Sequence, residues 1–312
     1  MPSSYPGFPG TVPGTAGNVA TSDGANWQSL PPAVEPSLYN GRLSLSSTLA
    51  VPIADITGAT TLYFLPYNGN RVSLYTGTTW TRFSIASLAS LSLSGLAIGV
   101  YDVYLDYNAG SPILGLSAIW TNTTTRATAL ITQDGVYCVG VNTRRYLGTV
   151  YIHATGTTQD TVQYRQVWNY ANRVERKLLR IDQTAQWSYN VVSWRQANAV
   201  PANQLGVVVG VAEEPVRVEV RASITVSTPA SSAISVNIGK GNTTPVGEYA
   251  SGAFFAGATQ LSGYAGASLS DYLLGYMNYL WLEKAGSTNT AYVNSGVAGY
   301  DSVSSIYGTV RG

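Results

Sequence analysis

One histidine, one cysteine and sixteen carboxylates are the side chains of this chain that could carry bond-breaking chemistry. His153 lies in "GTVYIHATG", on or ending a strand. No G-x-S-x-G elbow accompanies it, so a Ser–His–Asp triad lacks its frame, and a structural histidine is expected. Cys138 lies in the apolar stretch "GVYCVG", where a buried free thiol acts as a small hydrophobe. Single copies of each also exclude a disulfide framework and any multi-cysteine or multi-histidine metal site. Glycoside hydrolysis needs two carboxylates about 5–10 Å apart across a cleft. The candidates are Asp102, Asp106, Asp134, Asp160, Glu213, Glu214, Asp271 and Glu283. None sits in a motif, and they read as solvated loop acids, with Glu213–Glu214 before Pro215 forming a turn between strands. There is no Walker loop, no H-E-x-x-H and no D-x-D-x-D-G; "GKGNTTP" at 239–245 lacks the P-loop spacing. No enzyme activity and no cofactor are expected.

Composition narrows the remaining classes. The chain has 312 residues, room for two or three domains, and at 45% hydrophobic it can bury real cores. Charged residues are 11%, against roughly 25% in ordinary soluble proteins. Ser and Thr make up roughly a fifth, so the surface is rich in hydroxyls and amides rather than ions. A net charge of +1 provides no global field for nucleic acid, and no nucleic-acid partner is expected. No apolar run reaches the roughly 18 residues that span a bilayer, so no membrane insertion is expected. The N-terminal stretch lacks a basic segment followed by an apolar one, and assembly in a cytosol is expected.

The positioning elements follow from the pattern along the chain. Residues 1–40 carry Pro2, Pro6, Pro9, Pro13, Pro31, Pro32 and Pro36 among scattered glycines, which favours neither helix nor sheet. Tyr5, Phe8 and Trp27 make this stretch an extended arm that docks through aromatic anchors, with a mobile linker as the plain alternative. From Gly41 the pattern is β: "RLSLSS" alternates, "TTLYFLPY" and "RVSLYTG" flank Asn68–Gly69 as the two strands of an expected hairpin, and further runs turn at Asn108–Gly110 and at Asp134–Gly135. Strands at such spacing imply an antiparallel sandwich or barrel.

"QYRQVWNYANRVERKLLR" at 163–180 breaks the pattern. Tyr164, Val167, Ala171, Val174 and Leu178 are spaced 3, 4, 3, 4, which predicts a short helix with an apolar seam. The seam either packs on the chain's own sheet or associates around a symmetry axis. Arg165, Arg173, Arg176, Lys177 and Arg180 lie mostly off it, with salt bridges to acids such as Glu175 and Asp182 the expected use. Beyond Ile181 the β pattern returns. "VRVEVRASITV" places Arg217, Glu219 and Arg221 on one face and Val216, Val218 and Val220 on the other. The reading is therefore mainly β: an arm over 1–40, a first sandwich or barrel domain over 41–160, a helical neck over 161–180 and a distal β-sandwich over 181–312.

Aromatics offer the remaining chemistry. The chain holds 22 Tyr and 7 Trp against 5 Phe. Tyr and Trp combine an apolar face with a polar handle, which suits interfaces and stacking on sugar rings. Tyr264, Tyr272, Tyr276, Tyr279 and Trp281 are the candidate receptor-facing residues, with a core or subunit interface as the alternative.

"GRLSLSS", "TTLYFLPYNGNRVSLYTGTTW", "SGLAIGVYDVYLDYNAG", "WTNTTTRATALITQDGVYCVG", "TRRYLGTVY" and "WNYANRVERKL" come in an order that resembles virion proteins of tailed bacteriophages, the fibre and head-decoration proteins. The resemblance covers roughly residues 41–215. It implies a structural virion component: a homotrimeric fibre or spike, joined by its arm to tail, baseplate or capsid proteins and binding a host surface glycan or protein with its distal domain. A capsid decoration protein and a polysaccharide-degrading tailspike are the alternatives.

Overall fold

The computed structural model describes residues 19–22, 27–30, 34–85, 90–226, 232–255, 261–286, 291–294 and 303–312. Among these the protein is built of β-strands, with no α-helix; short 3-10 turns occur at Asn108–Gly110 and Ala197–Ala199. The strand Val216–Val226 shows why. Its β-branched residues favour the pleated surface, and alternation puts Val216, Val218 and Val220 inside while Arg217, Glu219 and Arg221 face solvent.

An eight-stranded and a seven-stranded sheet close over one core as a sandwich. The eight-stranded sheet contributes Val207, Ile234, Val236, Ile238, Tyr279 and Trp281; the seven-stranded sheet contributes Leu178, Val218, Val220, Ile224 and Ile306. Each fully buried aliphatic side chain contributes about 1.5–3 kcal/mol of transfer free energy, an upper bound against a compact unfolded chain. Nearly all pairing is antiparallel, but Tyr164–Arg165 lies parallel to Gln204–Val209.

A six-stranded sheet forms a layer shared by two cores. Along Gly99–Asp106, Tyr101, Val103 and Leu105 enter a core with Leu43, Leu62, Phe64 and Val72, while Val100 enters the sandwich core. Arg144–Ile152 divides likewise, with Leu147, Val150 and Ile152 on one side and Tyr146 on the other. A bulge between Tyr146 and Gly148 shifts its register. The eight-stranded sheet also takes Ile56–Ala59 and Thr158–Asp160 together with Gln204–Val209 and Gly275–Ala285, so its hydrogen bonding crosses the boundary expected at 160.

The helix expected over 163–180 does not form. Tyr164–Arg165, Val167–Asn169 and Glu175–Ile181 are strands, and Asn172 turns the chain with φ 54°. The physical reason is long-range pairing: Glu175–Ile181 forms a full seven-residue ladder with Ser305–Arg311, and Val167–Asn169 pairs with Gly148–Val150. Gly148 permits that approach, since a Cβ there would stand 2.0 Å from the Trp168 carbonyl oxygen. Tertiary partners overrode a weak local period.

The Asn68–Gly69 hairpin is also corrected. Asn68 and Gly69 do turn the chain, with φ 57° and 125°. The flanking strands do not pair with each other, because the segment around Asn40 lies between them: Tyr67 N–H donates to Asn40 O and Asn40 N–H to Arg71 O. Arg71–Tyr75 pairs instead with Trp80–Ser84. The Asp134–Gly135 and Asn108–Gly110 turns close hairpins as expected.

Candidate functional site

The acids singled out by type are spent on structural bonds, and three of them are not the solvated loop groups expected. Asp102, on Gly99–Asp106, is fully buried. It accepts from Arg126 at 2.8 and 3.1 Å, Thr149 at 2.8 Å and Trp120 at 3.1 Å. Asp160 is buried between Arg165 at 2.9 Å and Arg176 at 3.0 Å. Glu283 is buried and accepts from Trp187, Arg195 and the Asn198 N–H. Burial raises the carboxyl pKa of both Asp102 and Glu283 against the pull of these donors. Asp106 pairs with Arg144, Asp271 with Lys240, and Glu213 and Glu214 with Arg173 in the expected turn. Exposed Asp134 accepts from Gln133 and Trp80, which lower its pKa.

The basic cluster thus finds acids other than the expected ones: Asp160, Glu213 and Glu214 rather than Glu175 and Asp182. Asp182 is held by amides, from Asn198 at 3.2 Å and Asn203 at 2.5 Å. His153 follows the strand Arg144–Ile152, and its buried Nδ1 has no hydrogen-bond partner. Cys138 is fully buried in Val136–Val139, and burial pushes its thiol up to about 11.

The residues expected to form a trimer seam do not share a face. Leu178 is in the sandwich core, Val167 and Ala171 pack on the other core, and Tyr164 sits on the parallel strand. Val174 exchanges backbone hydrogen bonds with Gly312 at 3.1 and 3.2 Å. Of the anchor residues, Tyr5 and Phe8 lie outside the described residues; Trp27 starts a strand paired with Val19–Ser22.

The five receptor-facing candidates separate. Tyr276, Tyr279 and Trp281 are buried in Gly275–Ala285, a central strand covered on both faces. Tyr276 stacks on Tyr151 at 3.7 Å and 9°, Tyr279 donates to Asp271 at 2.8 Å, and Trp281 meets Trp187 edge-on at 5.6 Å. Tyr264 and Tyr272 are exposed, at 53% and 64%.

Tyr264 belongs to a constellation on the outer face of the seven-stranded sheet. A groove of about 560 Å³ there is lined by Glu219, Arg221, Glu248, Tyr249, Ser268 and Tyr307, among others. Its rows follow from register: Tyr307, Glu219, Ser268 and Tyr249 lie directly across four adjacent strands. Arg221 pairs with Gly266, which leaves the floor bare of side chain, and the Arg221 guanidinium stacks over Tyr264 at 4.4 Å. Tyr307 donates its hydroxyl to Glu219 at 2.6 Å; that bond to a carboxylate, with burial, raises the Tyr307 pKa. Tyr249 is 77% exposed. The arrangement presents aromatic faces, a Glu219 carboxylate held by Tyr307 and small hydroxyl residues on paired strands.

No family model matches the chain. No curated protein gives a significant match. A solved structure of infectious bursal disease virus, Gx strain, is similar at 10% identity and a TM-score of 0.23, over 90% of this chain and 78% of that one; a score this low establishes no shared fold. Among the described residues no group of His, Cys, Asp and Glu could hold a metal ion, and no helix is long and apolar enough to cross a membrane.

Sequence reasoning missed Tyr249 and Tyr307. Both stand in Gly- and Ser-rich surroundings with no period of their own. The usable signal was the outward row Arg217, Glu219 and Arg221, whose neighbours become known only from strand pairing.

Proposed function

We propose that this chain is a structural component of a tailed-bacteriophage virion, a fibre or spike whose distal sandwich attaches the particle to a host surface. The observation that carries the reading is the outer face of the seven-stranded sheet. It displays Tyr249, Tyr264 and Tyr307 with Glu219 and Arg221 on hydrogen-bonded strands. The ordered series of stretches over roughly 41–215 supports a virion role. The buried ion pairs support a non-enzymatic one, because Asp102, Asp160 and Glu283 are committed to arginines that hold strands together. Attachment then works by multiplicity, with several weak sites per particle giving avidity. Homotrimer formation rests on the resemblance alone, since the seam that favoured it is not a stripe.

Virions labelled with an antibody against this chain and viewed by electron microscopy test the reading. Label on the tail or its fibres is the expected result. Particles that carry no label overturn the virion role, and label confined to the head replaces the fibre with a decoration protein.

A further inference from the structure

We infer that the groove on the seven-stranded sheet is a saccharide site with two subsites on either side of Tyr249, and that it takes a neutral oligosaccharide. This deepens, and rests on, the reading of the distal sandwich as the attaching part. A second depression of about 190 Å³ adjoins the first and shares Glu219, Glu248, Tyr249 and Ser268 with it, adding Arg217 and Ser270. Tyr249 and Glu248 therefore stand between two hollows.

Length follows from the sheet. Tyr307 and Tyr249 occupy one row three strand spacings apart, about 14 Å at the usual spacing. That span exceeds a single sugar ring, so the site fits a chain of rings rather than a monosaccharide. Tyrosine faces can take the apolar faces of the rings. Glu219 and Ser268 stand between the two tyrosines in the row, and beside it the groove is lined by Gly266, Ala250 and Ser251, small enough to let a ring approach.

Charge selects the class. The two depressions share the carboxylates Glu219 and Glu248 and add the guanidiniums Arg221 and Arg217, so the site as a whole carries no net charge. Arg221 is already engaged by Tyr264. A site with no surplus cation offers an acidic sugar no net attraction, whereas the hydroxyls of a neutral sugar would donate to the carboxylates. Tyr307 holds Glu219 in place for that role. A protein partner fits less well, because the centres of protein interfaces are depleted in charged residues.

The test uses the purified full chain and an immobilised panel of neutral hexose and N-acetylhexosamine tetra- to hexasaccharides. Sialylated and uronate chains of equal length serve as counter-probes. Binding to a neutral series is expected, weakened about tenfold or more by Tyr249→Ala. The thermal midpoint of Tyr249→Ala should be unchanged, since that ring is largely exposed. Preference for the acidic chains, absence of binding to the panel, or full binding by Tyr249→Ala overturns the inference. Undiminished adhesion of virions to periodate-treated host cells also overturns it, in favour of a protein receptor. None of these results alters where antibody labels the particle, so the two readings fail separately.

Discussion

Arg126 grips Asp102 at two points, Nε to Oδ2 at 2.8 Å and Nη2 to Oδ1 at 3.1 Å, and its Nη2 also donates to the Gly210 carbonyl. Asp102 belongs to the six-stranded sheet, and Gly210 directly follows the strand Gln204–Val209 of the sandwich. One guanidinium, stacked over Trp120 at 4.4 Å, thus joins the two layers. Arg126→Ala leaves a fully buried carboxylate unpaired and should cost about 3–5 kcal/mol in urea unfolding. The double change Asp102→Asn, Arg126→Met should cost less than Arg126→Ala alone. A loss below about 1 kcal/mol for Arg126→Ala would show that the pair is not structural.

Arg42 is a second lock. It is buried and donates to Ala50 O at 3.3 Å, to Gly312 O at 2.7 Å and to Asn172 O. Burial, with Arg176 nearby, lowers its pKa to about 10, so it stays charged at neutral pH. Arg42→Met strands these carbonyls, at about 1.5–3 kcal/mol for each charged hydrogen bond lost. Amide exchange should quicken in Ser305–Arg311 and Glu175–Ile181. The hairpin Leu130–Gln133 with Val136–Val139 should be unaffected; uniform acceleration across the chain would refute a local lock.

Stability should respond to pH through groups of opposite sign. Burial pushes the Asp182 carboxyl up, but hydrogen bonds from Asn203, Thr184 and Asn198 together outweigh it, and its pKa is lowered. Its contribution is present above the ordinary carboxylate pKa and is lost as pH falls through the depressed folded value. Glu283 is raised, so it favours the fold most when protonated, and that contribution fades as pH rises from the ordinary value through the raised one. Between pH 7 and pH 3, Asp182→Asn should flatten the fall in thermal midpoint and Glu283→Gln should steepen it. Equal slopes in both variants and the parent would contradict these shifts.

Cys138 provides a reporter of opening. Its thiol is fully buried and pushed up to about 11, so both access and thiolate are scarce at pH 8. Iodoacetamide should modify the folded chain about a thousandfold more slowly than the urea-unfolded chain. Comparable rates would mean that the strand Val136–Val139 opens freely.

Local signals were legible where neighbours in sequence are also neighbours in space. Alternation in Val216–Val226 fixed which face is buried, and Asp134–Gly135 marked a hairpin whose two strands are adjacent. The same logic failed at 163–180, where a helical spacing of apolar residues was outweighed by a ladder to residues 305–311. It failed again at Asn68–Gly69, where Asn40 took the backbone partners that a hairpin would have joined.

The candidate site divides along the same line. Composition and alternation alone determined a β protein rich in tyrosine, with an outward row of Arg217, Glu219 and Arg221 and no motif for metal or nucleophile. Only the tertiary structure decided that Tyr276, Tyr279 and Trp281 are core while Tyr249 and Tyr307 line a groove and Tyr264 stacks under its Arg221. Only it decided that Asp102, Asp160 and Glu283 are clamps. A strand's own residues set its period, but its position in the sheet and the residues beside it depend on hydrogen bonds to segments far away in the chain, which no local pattern encodes.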